Sequence, residues 1–299
     1  MASSSPRIRS EYDIGANLLR LGLLFIGMFC VCMLINGLIA NIFPSSSRPG
    51  FYLSSTMQNI VAFAMPSIFA VLAFTPRPLH WLKLDAPVSW RALLGVVVFY
   101  AAGIPALNQI IYWNAHMQLP ESMSAIEQAL RTLEEQAAHL TESVLGSPSV
   151  WNMIVAILVV GILTGLCEEL LFRGALMQMI GVRGRRHLAI WTSAIVFSFV
   201  HFQFFGFIPR MLLGAWLGYL MYWTGSIWTN AIAHALNNSI VVVTYWLISR
   251  GAVADEADML GVTPSGFPWT ALLSAAVFAV LLIYGRDFFF SPANKERNG

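Results

Sequence analysis

The sequence predicts an all-α polytopic membrane protein with about eight transmembrane helices, and three observations predict it. Of the 299 residues, 57% are hydrophobic and only 11% charged, against about 25% charged in a soluble domain. Mean hydropathy is +0.67. The apolar residues gather in runs of about 20, the length that crosses a bilayer as a helix, and not in the short alternating segments of a β-barrel. Residues 1–299 read as one integral membrane domain.

In chain order the runs cover 18–43, 57–75, 92–113, 151–177, 187–203, 207–223, 226–249 and 269–290. The first follows Arg7, Arg9 and Arg20. It is longer than the 7–15 apolar residues of a cleaved signal and has no small-x-small cleavage site, so it reads as a first span. The fifth and sixth runs merge through Phe202–Pro209, where Gly206 and Pro209 mark the break. Charge orients the whole. With the N-terminus inside, the inside segments carry Arg7, Arg9, Arg20, Arg77, Lys83, Arg91, Arg183, Arg185, Arg186, Arg286, Lys295 and Arg297. The outside segments carry Arg48, Arg131, Arg210 and Arg250. This bias puts both termini in the cytoplasm and suits a multi-pass protein of a cell membrane, with the bacterial inner membrane as the expected one.

The one sizeable polar segment, 114–150, falls outside. Ile126, Leu130, Leu133, Ala137, Leu140 and Val144 recur every three or four residues among Glu127, Glu134, Glu135 and Glu142, the pattern of an amphipathic helix. We expect an extracytoplasmic amphipathic insertion. A solvated connector is the simplest reading, with a lid or a docking helix as alternatives. Its acidic balance argues against nucleic acid as a partner and against anchoring to anionic lipid. The 3 cysteines, Cys30, Cys32 and Cys167, form neither a disulfide framework nor a zinc-type spacing.

Chemistry concentrates inside the fourth run. Glu168, Glu169 and Arg173 lie where lipid is expected, and a charge at mid-membrane costs about 2.5–3.5 kcal/mol on insertion scales. Four residues apart on a helix, Glu169 and Arg173 are neighbours that can pair. Glu168 points about 100° away and needs a partner from another helix. Two later runs offer candidates: Phe197-x-x-x-His201 and His234-x-x-x-Asn238 each share a helical face. A carboxylate, two histidines and an asparagine supply what water-mediated acyl hydrolysis needs: a base, a proton shuttle and neutral donors for an oxyanion. The same groups also suit a packing network, and glutamate with two histidines is a possible zinc set, although no H-E-x-x-H is present. No serine or cysteine is visibly paired with a base. Counted from the cytoplasmic ends of these runs, Glu168 and His234 lie roughly 14 Å deep and His201 nearer 21 Å. The site is expected in the cytoplasmic half.

Glu168-Glu169-x-x-x-Arg173, Phe197-x-x-x-His201 and His234-x-x-x-Asn238, in this order on successive apolar runs, resemble the CPBP family. These are the CAAX-protease and bacteriocin-processing intramembrane proteases, which include the Ras-converting enzyme. The motif-bearing core covers 150–240. The resemblance implies an all-helical intramembrane endopeptidase of the glutamic type that needs no cofactor and no metal. In it Glu168 would activate water, His201 would assist, and His234 and Asn238 would form the oxyanion hole. Glu169, Arg173 and Phe197 would support them. The implied partner is a membrane-associated protein or peptide, prenylated or not, met in the lipid bilayer. Alternatives are a zinc-dependent membrane peptidase, a non-catalytic scaffold or immunity or sorting factor, and a proton-coupled transporter.

Overall fold

A computed structural model describes residues 13–44, 47–182, 184–253 and 260–290. Arg7, Arg9, Arg183, Lys295 and Arg297 of the inside charge count lie outside the described residues. Among the described residues there is no strand. The main helices are α1 (Ile14–Ile42), α2 (Arg48–Leu72), α3 (Trp90–Ala115), α4 (Ser124–Leu145), α5 (Val150–Gly181), α6 (Arg186–Phe199), α7 (Phe207–Thr224), α8 (Ile227–Ser249) and α9 (Trp269–Phe290). The helix starts follow local chemistry. The side chains of Asp13, Ser47 and Ser149 accept bonds from the Ala16, Gly50 and Asn152 amides at the first turns of α1, α2 and α5, each satisfying an amide the helix leaves unpaired. At the other end of α7, Gly225 takes φ +65°, the left-handed conformation that closes a helix and favours glycine.

Seven of these helices are long and apolar enough to cross a membrane, α7 being counted with the turn at Phe204–Gly206 that precedes it. The fifth expected span, 187–203, holds a helix shorter than its apolar run. α6 has 14 residues, about 21 Å at 1.5 Å per residue, against a hydrocarbon core of about 30 Å. Beyond Phe199 the chain leaves the helix at Val200 and His201, and Phe202 has φ +53°, a conformation disfavoured for a bulky side chain. α5 goes the other way. It runs 32 residues and holds two π-helical stretches, Ile157–Leu163 and Leu170–Leu176, on either side of Glu168 and Glu169.

Small residues set how closely the helices approach. Along α5, Gly161-x-x-x-Gly165 lies against α8. A Cβ on Gly165 would sit 2.9 Å from the Ala235 amide nitrogen, and one on Gly161 2.5 Å from Ser239 Oγ. Along α7, Gly214-x-x-x-Gly218 lies against α6, within 3.2 Å of Ala194 Cα and 2.8 Å of Ile190 Cγ2 by the same measure. Lipid tails are as apolar as leucine side chains, so such close backbone contact, with its dispersion energy, drives helix association. The two seams join α5 to α8 and α6 to α7, and the candidate residues sit beside them. One apolar core, including Phe63, Leu171, Phe172, Ile190 and Phe197, lies among α2, α5, α6 and α7. A second, including Phe99, Leu217, Leu220 and Phe290, joins α3, α7 and α9. Next to it a cavity of about 820 Å³ is lined by aromatic and aliphatic side chains such as Phe99, Trp191, Trp216 and Phe278. None of the motif residues lines it.

Pro105 interrupts α3. Ser274 of α9 repairs the ladder there: its hydroxyl accepts from the Ala106 amide at 3.1 Å and donates to the Ala102 carbonyl at 2.5 Å. Freed backbone groups at membrane depth need partners of this kind.

The insertion helix α4 is tied down at several points along its length. Glu127 Oε2 accepts from the Leu119 amide at 2.8 Å, and Glu127 Oε1 pairs with Arg131 at 2.8 Å. Arg131 also donates to the carbonyls of Ala115 and Met117. The Leu119 amide, and after it Arg131, hold the Glu127 carboxyl below the usual carboxylate range. At the far end Asn152 and Arg48 both donate to the Val144 carbonyl. Midway, Glu134 accepts from the Phe205 amide at 2.9 Å, and Arg131 lies 4.1 Å over the Phe205 ring. α4 therefore rests on the turn that follows His201, where a plain solvated connector would touch nothing.

Candidate active site

The α5–α8 seam delivers two acidic side chains to one histidine. Glu169 is completely buried, and its Oε1 takes a 2.7 Å ion pair from Arg173 Nη1, four residues on. The same oxygen lies 2.9 Å from His234 Nδ1 on α8. Arg173, also completely buried, spends Nη2 on the Gly214 carbonyl of α7 at 2.8 Å and places its guanidinium 4.8 Å over the Phe197 ring of α6. One ion pair thus gathers four helices. Asn230, one turn before His234, completes it by donating to Glu169 Oε2 at 3.2 Å and to the Leu217 carbonyl at 2.6 Å. Asn230 escaped the sequence reading although its spacing of four from His234 puts it on the same face.

Glu168 finds its partners in the turn after α6 and on α8. Its Oε1 lies 3.8 Å from His201 Nε2 and its Oε2 lies 3.7 Å from His234 Nε2. Phe197 packs edge-on against both imidazoles, with ring centres 4.9 Å from His201 and 5.7 Å from His234, and against Phe172 at 5.1 Å. Structure and sequence agree on six of the seven named residues as neighbours: Glu168, Glu169, Arg173, Phe197, His201 and His234. Asn238 stands one turn further along α8. Its Nδ2 donates to the Val160 carbonyl of α5 at 3.2 Å and its Oδ1 accepts from Asn237 Nδ2 at 3.1 Å. One amide hydrogen of Asn238 is left over.

The hydrogen-bond partners assign the protons. His201 Nδ1 lies 2.7 Å from the Phe197 carbonyl, an acceptor only, so Nδ1 carries a hydrogen and donates it. Neutral His201 therefore turns the lone pair of Nε2 toward Glu168. His234 Nδ1 likewise donates to the Glu169 carboxylate, and a neutral His234 turns the lone pair of Nε2 toward the other oxygen of Glu168. It can offer an N–H from Nε2 only as an imidazolium. Two gaps of nearly 4 Å between acceptors are too long for direct hydrogen bonds and have the polarity of water sites.

Among the described residues no three His, Cys, Asp or Glu side chains are arranged to hold a metal ion. Two ligands of one tetrahedral zinc lie about 3.3 Å apart at bond lengths of about 2.0–2.1 Å, closer than the Glu168 contacts.

Depth departs from expectation. Glu168 is 13 residues from Gly181 at one end of α5 and 18 from Val150 at the other, about 20 Å and 27 Å. His201 follows the 14 residues of α6, about 21 Å of helix. Glu168 lies nearer the Gly181 end of α5 than the Val150 end, but deeper than the apolar run implies, because α5 continues to Gly181 beyond residue 177. The same extension removes most of the expected offset between Glu168 and His201. Exposure is graded: the side chain of His201 is 28% accessible, that of Glu168 7% and that of His234 4%. His201 is the most exposed of the three. Arg210, counted from sequence among the outside charges, turns inward at the start of α7. Arg210 lies within electrostatic range of Glu168 and Glu134.

Residues 150–240 match the family model described as Type II CAAX prenyl endopeptidase Rce1-like. The matched segment carries the buried carboxylates and both histidines. The chain is also 28% identical over 83 residues to the uncharacterized protein YpbD of Bacillus subtilis (strain 168). That alignment takes in 26% of this chain and 40% of YpbD, so the chain spans well under half the length of this curated relative. No solved structure matches.

Proposed function

We propose that this protein is an intramembrane endopeptidase of the Rce1-like kind, hydrolysing a peptide bond of a membrane-associated substrate with water activated by Glu168. One observation carries the reading. The Glu168 carboxylate faces two imidazole Nε2 atoms at 3.8 and 3.7 Å, and the Nδ1 of each ring is committed elsewhere. A water in the first gap donates one hydrogen to Glu168 and the other to His201. Glu168 takes a proton as the water oxygen bonds to the substrate carbonyl carbon. The resulting oxyanion is met by the spare Asn238 amide hydrogen and by His234 Nε2–H, the latter requiring the imidazolium held by Glu169. The proton on Glu168 passes to the leaving nitrogen as the C–N bond breaks, which leaves a carboxylic acid and an amine, and the acid's remaining proton then passes to the amine to give a carboxylate and an ammonium. The buried Glu169–Arg173 pair keeps His234 oriented, and Phe197 wedges both rings.

The matched family description, a CAAX prenyl endopeptidase, supports a substrate cut near its C-terminus, with prenylated peptides as the first to try. The orientation we favour has both termini in the cytoplasm of a cell-membrane protein, with a bacterial inner membrane as the setting. Exposure of His201 supports an enzyme over a scaffold, which would have this group packed shut. The test is cleavage of quenched fluorescent peptides, prenylated and unprenylated, by purified protein, by its Glu168→Gln variant, and by wild type with a strong zinc chelator. We expect chelator-resistant cleavage that Glu168→Gln abolishes without unfolding the protein. Full turnover by Glu168→Gln removes the base, and loss of activity with chelator moves the three residues to a metal site.

A further inference from the structure

Arg210 holds an unused donor beside this group. It lies in the first turn of α7, three residues after Phe207. Its Nη2 donates to Gln203 Oε1 at 2.5 Å. Its Nη1 is buried and has no hydrogen-bond partner among the described residues. Leaving a charged donor unsatisfied away from water is costly, and native structures rarely do so without a use for it. Three charged or titratable groups lie within electrostatic range of it: Glu168, Glu134 of α4, and His201. Neither carboxylate takes Nη1. Glu134 is engaged by the Phe205 amide, and Glu168 faces the histidines. Gly206 keeps the guanidinium close to the backbone, since a Cβ there would stand 3.1 Å from Nη2.

We propose that Arg210 is the receptor for the free C-terminal carboxylate of the substrate peptide, so that the protein selects chain ends with an acid over a capped or internal segment. This rests on the peptidase reading above. A guanidinium meets a carboxylate with two parallel hydrogen bonds, and terminal carboxylates are commonly read by a dedicated set of donors. An arriving carboxylate satisfies Nη1 and holds the scissile bond at a set distance from Glu168. Lysine, a point charge without the fork, replaces arginine poorly here.

The probe is a fluorescein-labelled peptide with a farnesylated Cys-aliphatic-aliphatic-Ser end, made as the free acid and as the carboxamide. Affinity is measured on the Glu168→Gln protein, which binds without turnover, and on Glu168→Gln combined with Arg210→Gln. The acid is expected to bind at least about tenfold more tightly than the amide, as a charge-assisted hydrogen bond implies. The second substitution should bring the two affinities together by weakening the acid alone. On active protein the acid-to-amide preference in kcat/KM should fall with Arg210→Gln, mainly through KM, and return in part with Arg210→Lys. Equal affinity for acid and amide overturns the proposal. So does an Arg210→Gln variant that lowers acid and amide turnover equally, since that is the mark of a residue that only tunes Glu168. Cleavage that ignores Glu168→Gln defeats the peptidase mechanism and leaves the binding comparison to judge Arg210 by itself.

Discussion

His234 and Glu169 share a 2.9 Å hydrogen bond across the α5–α8 seam, and through it a fully buried ion pair sets the face that His234 shows to Glu168. Because Glu169 Oε1 also takes Arg173 at 2.7 Å, the carboxylate remains an acceptor, and the proton on His234 Nδ1 is held in place.

Removing either charge of that pair strands the other where no water compensates it. Glu169→Gln and Arg173→Ala should each cost about 3–5 kcal/mol, the penalty for an uncompensated buried charge. Glu169→Gln combined with Arg173→Met should be less destabilised than either, because neither charge is then left alone. Thermal unfolding in one fixed detergent measures all three. Unchanged midpoints in both single variants would refute a structural role for the pair.

Much of this was legible in the sequence, for a physical reason: a bilayer demands long apolar helices and makes every charge inside them conspicuous. Glu168, His201 and His234 stood out on those grounds, and a spacing of four placed Glu169 beside Arg173. The short α6 was not legible, because Val200 continues the apolar run even though the helix stops at Phe199. Arg210 looked like a loop charge, since only the packing of α7 on α6 turns it inward. The bond from Phe205 to Glu134 joins residues 71 apart and leaves no local pattern. Gly161-x-x-x-Gly165 and Gly214-x-x-x-Gly218, which mark both seams, went unread in the sequence although small residues four apart are a close-packing spacing.

The α5–α8 seam should tolerate no side chain at Gly165. Its added Cβ meets the Ala235 nitrogen at 2.9 Å and the Ala231 carbonyl oxygen at 3.2 Å, backbone atoms of a helix that cannot rotate away. Gly165→Ala should push α8 outward by several tenths of an ångström and widen the spacing of His234 from Glu168 and Glu169 alike. Misplacement on the ångström scale can cost a factor of about 100 in rate. We expect a large loss of peptide turnover with a smaller loss of thermal stability. Full turnover by Gly165→Ala would show that the seam does not set the catalytic spacing.

The tether of the insertion helix should release in acid. Glu127 bonds the Leu119 amide and Arg131 only as a carboxylate, and both interactions hold its pKa below the usual range, the amide more than the arginine. A carboxyl with a depressed pKa in the folded state stabilises that state above its unfolded value, about 4.3 for glutamate. The contribution then disappears as pH falls through the folded pKa. A nitroxide on Ser122→Cys, in protein freed of its three native cysteines, reports the mobility of this turn. The label should stay restrained at neutral pH and loosen only below about pH 4. With Glu127→Gln it should be loose at every pH. A label whose mobility follows the same pH curve in both proteins would show that Glu127 does not hold the start of α4.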